Sequence, residues 1–357
     1  MKIVVRGTNW VGDAVMSVPA LRELRRIFPD AHLTLYTLNW AKGIFQDVDF
    51  IDELLPFDRE KSSFKTILSQ AKVWRKEKFD LAVLFPNSFE SALLAKLGKV
   101  PKRFGYAKDG RSFLLTNAIK IPAWKNQRHE VFYYLNLVAE VEKNHFGTST
   151  TLESEPRFEL NVSENRKAEA REFLVQNGVD LSKKLVVFCA GSANSPAKRW
   201  ETENFAKLGD KLKSDLDVEV ILDGAKNEVE ISQTVAAAMQ TKPIVLTGKT
   251  SLADGMAILS LADLLVSNDT GAAHISAALG TKTLVIFGPT NPLTTQPLGS
   301  EIISQDVECS PCNFRVCPID HRCMTRISAD EVFEKAAKLL KIKDINDKLK
   351  TTKSRLS

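Results

Sequence analysis

The chain has 357 residues, too many for one ordinary hydrophobic core, and its 44% hydrophobic and 26% charged residues predict two globular domains rather than a disordered chain. Its 49 Lys and Arg against 44 Asp and Glu leave a net charge of +5, too small by itself to indicate nucleic acid as a partner. Apolar runs stay below the roughly 18 residues of a membrane span. Arg6, Asn9 and Asp13 interrupt any signal-peptide core, so we expect a cytoplasmic protein.

The first half of the chain alternates predicted strands with predicted helices. Apolar residues recur at helical spacing over residues 14–28, and short apolar runs mark the strands. The predicted strands are 2–6, 33–37 and 81–85, and the predicted helices are 14–28, 64–76, 88–97 and 130–143. Residues 101–128 read as irregular and basic, and residues 145–161, rich in Thr, Ser, Glu and Pro, as a linker or a domain edge.

A second alternation follows the linker. Its predicted strands are 185–189, 218–222, 244–246, 264–266 and 283–287, with a helix at 165–176 before them and a last helix at 329–340. Repeated β-α-β order predicts a mostly parallel, doubly wound sheet in each half. We therefore expect α/β domains at 1–160 and 161–327, followed by a C-terminal helix and a fraying tail at 328–357. Such paired domains bind ligands at the carboxyl ends of their strands, in the cleft between them.

Residues 266–274 (VSNDTGAAH) are the most informative stretch. They predict a strand, a polar turn and a helix, with Asp269 or Thr270 as the helix cap. The amides from Gly271 onwards would then hold an anion with the help of the helix dipole. Asp269 and His274 would read ribose or sugar hydroxyls around that anion. The alternative is an ordinary capped helix of an α/β protein.

A glycine-bearing turn, residues 7–12, joins the first strand to the first helix. It lacks the G-x-G-x-x-G spacing of a dinucleotide fingerprint. Asp13 follows in the first helical turn, where the helix dipole keeps a carboxylate ionised and able to take a proton from a hydroxyl. The alternative is that Asp13 only caps the helix.

Two further strand-end loops carry small and charged residues. In the loop after residue 189, small residues such as Ser192 suit close approach to phosphates, and Lys198 supplies charge for a pyrophosphate. In the next loop, Asp223 and Glu228 can bond a ribose or a base. Each loop alone is also compatible with a solvated surface, but their agreement favours a ligand site.

Four of the five cysteines, Cys309, Cys312, Cys317 and Cys323, fall within 15 residues, with His321 among them. They allow three states: free or packed thiols, a structural zinc site, or disulfides. None of these states makes the cluster catalytic.

Over nearly its whole length the chain resembles the ADP-heptose lipopolysaccharide heptosyltransferases of glycosyltransferase family 9. The motifs are residues 12–21 (GDAVMSVPAL), 196–200 (PAKRW), 267–274 (SNDTGAAH) and 309–318 (CSPCNFRVCP). The PAKRW motif and the cysteine loop favour the type II branch of that family. The chain departs from the family in residues 191–195, where Pro, Glu and Phe would be expected near the glycine.

The resemblance implies a GT-B fold of two Rossmann-like domains and the inverting transfer of heptose from ADP-heptose to the first heptose of the inner core, on a heptosyl-Kdo2-lipid A type of acceptor. It implies Asp13 as general base. It assigns the donor to Ser192, Lys198, Asp223, Glu228, Asp269, Thr270, Gly271 and His274. For the acceptor, which bears phosphates and acidic sugars, we expect contacts from Asn9, Trp10, Asn87, Arg103, Arg111 and Arg128. Such an enzyme would touch the inner membrane surface peripherally.

No catalytic metal is expected. Fixed amides and a lysine can stabilise the leaving ADP. The two D-x-D matches, at 47–49 and 215–217, precede apolar runs, which puts them at strand starts, away from the predicted cleft. Three alternatives stay open: a family member with another acceptor, a nucleotide-dependent oxidoreductase or epimerase, and a non-catalytic sugar-nucleotide sensor.

Overall fold

The computed structural model describes residues 1–58, 64–193 and 195–341. By contact clustering they form two units, one of residues 1–164, 252–256 and 291–298 and one of residues 165–251, 257–290 and 299 onwards. The tail that we expected to fray lies outside the described residues after position 341. None of the helices in the described ranges combines the length and the apolar composition that a bilayer crossing requires.

The first unit contains a six-stranded sheet whose paired strands all run parallel. Its strands are β1 (Lys2–Arg6), β2 (His32–Leu38), β3 (Glu53–Phe57), β4 (Leu81–Leu84), β5 (Lys102–Tyr106) and β6 (Asn117–Ile119). Its helices are α1 (Val11–Met16), α2 (Val18–Ile27), α3 (Lys42–Phe45), α4 (Phe64–Glu77), α5 (Phe89–Leu97) and α6 (Glu130–Phe146). The strands lie in the order β3-β2-β1-β4-β5-β6. The chain adds β2 and β3 on one side of β1 and then β4, β5 and β6 on the other side. An open parallel sheet binds its ligand at the carboxyl ends of the strands at such a switch point, here between β1 and β4.

The second sheet repeats this plan in the order β12-β11-β10-β7-β8-β9, with the reversal between β7 and β10. Its strands are β7 (Leu185–Cys189), β8 (Glu219–Leu222), β9 (Ile244–Val245), β10 (Leu264–Asn268), β11 (Thr283–Phe287) and β12 (Glu301–Ser304). The remaining helices are α7 (Glu164–Gln176), α8 (Thr202–Leu216), α9 (Val229–Ala238), α10 (Leu252–Leu259), α11 (Gly271–Ala278), α12 (Pro292–Thr295), α13 (Arg322–Thr325) and α14 (Ala329–Lys341). The expected fold class, two Rossmann-like doubly wound α/β units, is confirmed.

Two local expectations were wrong. The helix expected over residues 14–28 is two helices, broken at Ser17. The Ser17 hydroxyl donates to the Ala14 carbonyl, and Pro19, which has no amide hydrogen, opens α2. The segment 101–128, expected to be irregular, contains the strands β5 and β6, because residues 104–106 are apolar enough to be buried beside β4.

The C-terminal helix α14 packs into the core of the second unit. Its apolar face contributes Val332, Ala336 and Leu340 to the cluster that also holds Trp200 and the inner residues of β7 and β10. Trp200 is buried, and its indole nitrogen donates to the Ile327 carbonyl just before α14. The segment 196–200 is thereby fixed against the sheet.

Candidate active site

Asp13 lies in the first turn of α1, two residues after the helix begins. The N-cap position belongs to Trp10, so the alternative in which Asp13 merely caps the helix is wrong. The hydroxyl of Tyr134, a buried residue of α6, donates to Oδ1 of Asp13 at 3.2 Å. Burial, and then the negative charge of Asp13, raise the pKa of Tyr134 well above its ordinary value. The hydroxyl therefore stays protonated and serves Asp13 as a permanent donor.

Glu130, on α6, is a second carboxylate whose charge interacts with that of Asp13. Burial raises the pKa of Glu130, Lys125 opposes this through an ion pair, and the charge of Asp13 adds to the rise. Glu130 and Tyr134 are four residues apart and share a face of the helix. Sequence reasoning missed both residues, although this i, i+4 pair of polar groups on a mostly apolar helix was a signal.

Two expected acceptor residues lie near Asp13 along the chain. Oδ1 of Asn9 accepts a hydrogen bond of 2.9 Å from Arg6, and the Arg6 guanidinium lies 4.6 Å from the centre of the Phe57 ring. Trp10 is half exposed and leaves an indole face open to solvent. An exposed indole beside a carboxylate suits a sugar ring.

Arg111 is a correction to the expected acceptor set. The side chain is fully buried, and burial lowers the pKa of its guanidinium to about 10. It donates to the carbonyls of Tyr106, Pro86 and Ser88, to the Ser91 hydroxyl and to Oδ1 of Asn87. It therefore holds the β4–α5 loop, and its complete burial keeps it from an acceptor.

The remaining expected acceptor residues, Arg103, Asn87 and Arg128, differ in what their side chains contact. Arg103 donates to the carbonyls of Leu114 and Val100 at 2.8 and 2.6 Å, so it also fixes backbone. Asn87 donates from Nδ2 to the Tyr133 hydroxyl at 3.1 Å while its other end binds Arg111. Arg128, in contrast, is exposed, and its guanidinium is held over the rings of Phe132 and Trp124, 3.5 and 5.7 Å from their centres. Of the three arginines, Arg128 is the exposed one.

In the second unit, Lys198 forms an ion pair with Asp269. The ammonium lies 2.7 Å from Oδ2 of Asp269, a side chain only 5% exposed, and Thr290 donates to the same oxygen at 2.7 Å. The expected side-chain cap of α11 was wrong: Asp269 is engaged in these bonds, and the Thr270 hydroxyl shares a hydrogen bond with Ser267. The side chain of Thr270, the N-cap residue of α11, makes no capping hydrogen bond to the first turn of the helix.

Asn268 joins the three loops around this pair. It is fully buried at the end of β10. Its Nδ2 donates to the carbonyls of Ala190 and Gly191, and its Oδ1 accepts from the Trp200 amide at 3.0 Å. A buried amide must find such partners. Sequence reasoning missed Asn268, although its place between a buried strand and a polar turn was a signal.

Glu228 and Asp223 lie together at the carboxyl ends of β7 and β8. A Cβ atom on Gly191 would come within 2.2 Å of Oε1 of Glu228, so only glycine allows this approach. Asp223 accepts from the Thr250 hydroxyl at 2.8 Å and is nearly buried. Burial, and then the charges of Asp223 and Glu228, raise the pKa of Cys189.

The remaining donor candidates, Ser192 and His274, are also nearly buried. Ser192 lies in the loop after β7, where its carbonyl accepts from Arg199 at 3.1 Å. His274 lies within α11. Both D-x-D matches precede the amino ends of strands, β3 and β8, at the edges opposite to the loops that carry the candidate residues.

All five cysteines are thiols in this structure. Burial, with smaller effects from the three neighbouring thiols, raises the pKa of Cys323 to about 11. Cys323 packs in the core of the second unit, where a Cβ on Gly288 would lie 3.2 Å from its sulfur. Across residues 1–58, 64–193 and 195–341, no three His, Cys, Asp or Glu side chains are grouped so that they could hold a metal ion.

Comparison with known proteins gives one consistent group of matches. A sequence profile of glycosyltransferase family 9 (heptosyltransferase) matches residues 67–322. The lipooligosaccharide heptosyltransferase 2 of Campylobacter jejuni is 28% identical over 96% of this chain and 99% of its own, and the lipopolysaccharide heptosyltransferase 2 of Escherichia coli is 28% identical over 84% and 86%.

Solved structures agree with these matches. The ADP-heptose lps heptosyltransferase II of Escherichia coli superposes with a TM-score of 0.82 at 26% identity, over 95% of this chain and 98% of its own. A family 9 glycosyl transferase from Veillonella parvula superposes with a TM-score of 0.81 at 25% identity, over 95% and 97%.

Proposed function

The chain belongs to glycosyltransferase family 9, the heptosyltransferases, and we propose that it transfers heptose from ADP-heptose to the first heptose of a lipopolysaccharide inner core. As in other GT-B enzymes, the first unit would bind the acceptor and the second unit the nucleotide sugar. The observation that carries the proposal is Asp13 in the first turn of α1, with the protonated Tyr134 hydroxyl bound to one carboxylate oxygen.

The chemical step is a single displacement. The acceptor hydroxyl oxygen forms a bond to the anomeric carbon as the bond from that carbon to the β-phosphate oxygen of ADP breaks. The hydroxyl proton passes to the Asp13 carboxylate, and ADP leaves with the bonding electron pair. Attack from the face opposite to ADP inverts the anomeric centre. Tyr134 donates a hydrogen bond to Oδ1 of Asp13 and so stabilises the ionised carboxylate that takes the proton.

The donor assignments rest on the second unit. We assign the diphosphate to Lys198 and to the first-turn amides of α11 around Thr270 and Gly271, because fixed amides and a lysine stabilise the charge of leaving ADP. Asp269 and His274 would face the heptose or its phosphate, Glu228 and Asp223 the ribose, and Ser192 the phosphate side. No metal takes part in this scheme.

Fewer residues are assigned to acceptor binding than the sequence suggested. Trp10 and Asn9 adjoin Asp13, and Arg128 presents an exposed guanidinium to the phosphates and acidic sugars of a heptosyl-Kdo2-lipid A type of acceptor. Such an acceptor is anchored in a bilayer, so we place the enzyme in the cytoplasm with peripheral contact to the inner membrane.

The test measures turnover of ADP-heptose with acceptors truncated before and after the first heptose, with the products identified by mass. We expect one added heptose on the acceptor that ends in the first heptose and none on the shorter acceptor. Asp13→Asn should keep ADP binding and lose nearly all turnover, whereas Asp49→Asn, at an exposed carboxylate before β3, should keep both. Transfer to the shorter acceptor would assign a different family member, and normal turnover by Asp13→Asn would remove Asp13 from the mechanism.

A further inference from the structure

Two phenylalanine rings of the first unit stand together in solvent. Phe89 is 42% exposed and Phe113 is 68% exposed, and their ring centres are 6.1 Å apart. Phe89 opens α5, and Phe113 lies in the short 3-10 turn Ser112–Leu114 between β5 and β6. Two touching aromatic rings left in water are typical of a surface that meets an apolar phase.

The ring pair is held rigidly by the buried Arg111. The guanidinium donates to the Ser88 carbonyl and the Ser91 hydroxyl, on either side of Phe89, while its own backbone lies two residues before Phe113. One buried cation therefore ties together the two segments that carry the rings. This gives Arg111 a role that its expected acceptor contact did not explain.

The rings lie at the catalytic edge of the first sheet. Phe89 follows the carboxyl end of β4, and Phe113 follows the carboxyl end of β5. Asp13 follows the carboxyl end of β1, which pairs directly with β4. Carboxyl ends of parallel strands share one edge of a sheet, so Phe89 and the proposed base lie on the same edge, and the Phe113 ring lies beside Phe89.

The surroundings of the rings are strongly basic. Without the buried Arg111, residues 87–128 contain eight Lys and Arg against two Asp and Glu, a net charge of +6, whereas the whole chain carries +5. The Lys96 ammonium lies 5.7 Å from the centre of the Phe113 ring, and Lys99, Lys102 and Lys108 are exposed in the same segment. Aromatic rings set among lysines match an anionic bilayer, where each basic residue near the surface contributes about 1 kcal/mol.

We propose that Phe89, Phe113 and the lysines around them, here called the aromatic-basic patch, dock the protein on an anionic lipid bilayer. The rings enter the interfacial layer while Lys96 and its neighbours contact lipid phosphates. The biological consequence rests on the proposed function: docking at this edge would bring Asp13 to an acceptor whose sugars stand just above the same bilayer.

The test is sedimentation with vesicles of phosphatidylcholine alone or mixed with phosphatidylglycerol. Wild type should bind the anionic vesicles, and added salt should weaken that binding. Phe89→Ser/Phe113→Ser should bind roughly tenfold or more weakly, and Lys96→Gln roughly fivefold more weakly, as expected for lost apolar and charge contacts. The matched control is Phe146→Ser, a 59% exposed ring at the far end of α6, which should bind as wild type does.

Turnover separates docking from chemistry. The double variant should transfer heptose normally to a water-soluble core oligosaccharide and slowly to the same acceptor embedded in vesicles. Equal vesicle binding by wild type, the double variant and Phe146→Ser would refute the proposal that the aromatic-basic patch docks on the bilayer. Binding that is lost equally in the double variant and in Phe146→Ser would overturn it as well. Vesicle binding by a wild type that transfers no heptose would instead refute the proposed function and leave the patch supported.

Discussion

The hydrogen bond from Tyr134 to Asp13 makes a quantitative prediction about the pH dependence of the reaction. Tyr134→Phe removes one hydroxyl from a buried site and leaves the ring, which packs edge-on against Phe85 with the centres 5.2 Å apart. The lost bond stabilises a carboxylate, so its removal favours the protonated form of Asp13. The base is then lost at a higher pH than in wild type.

The size of the effect follows from the geometry. Hydrogen bonds to charged groups contribute about 1.5–3 kcal/mol. The 3.2 Å separation is long for a hydroxyl bound to a carboxylate, so we take the lower end of that range. At about 1.4 kcal/mol per pH unit, the acidic limb of kcat/KM should move upward by about one unit. Turnover on the alkaline side should change much less.

The assay records kcat/KM for a soluble acceptor between pH 5 and 9. Tyr133→Phe is the matched control, since it is the adjacent buried tyrosine and its hydroxyl accepts from Asn87 rather than donating to Asp13. Glu130→Gln should move the acidic limb the other way, because it removes a like charge that faces Asp13. An unmoved limb in Tyr134→Phe, or the same upward shift in Tyr133→Phe, would refute this account of the base.

Three further predictions concern other charged groups. Lys198→Ala should weaken ADP binding more than Lys198→Ala/Asp269→Asn does, because the single change leaves a buried carboxylate without its lysine beside the diphosphate. Calorimetric titration with ADP measures the affinity of both variants. Equal losses of affinity would contradict the pairing. Gly191→Ala should raise KM for ADP-heptose by displacing Glu228, and truncating Glu228 in that background should add little further loss. Although burial opposes its ionisation, hydrogen bonds led by that from Ser149 lower the pKa of Glu142 to about 2, so the stability it gives is present above pH 4.5 and is lost as pH falls towards 2. Urea unfolding of Glu142→Gln should accordingly differ from wild type at pH 7 and converge with it near pH 2.

The sequence was a good guide to the inner strands and a poor one to the edges. β7 and β11 were predicted with their observed limits, because strands covered on both faces are continuous apolar runs. β3 and β12 were not predicted. Both are edge strands with exposed or half-exposed residues, and β3 contains Pro56, which an edge strand tolerates because that side needs no amide donor.

Basic residues show why composition alone misjudges a site. Arg103, Arg111 and Arg128 come from one basic segment, and nothing in the sequence separates them. In the structure, Arg111 and Arg103 donate to backbone carbonyls. Arg128 is exposed, and its guanidinium lies over two aromatic rings. The difference depends on where β5 and β6 place each side chain, and those strands were read as irregular chain.

The two halves of the site differ in how far local sequence determines them. The groups around Lys198 and Asp269 all come from loops at the carboxyl ends of adjoining strands, and Asn268 of the same sheet locks those loops together. A strand-turn-helix pattern is therefore enough to find them. Asp13 obtains its hydrogen-bond donor from Tyr134, 121 residues further along the chain, through the packing of α6 against α1. A motif can mark the base, but only the fold supplies the groups that set its protonation, and variants of α6 should therefore alter the pH dependence of transfer more than its donor affinity.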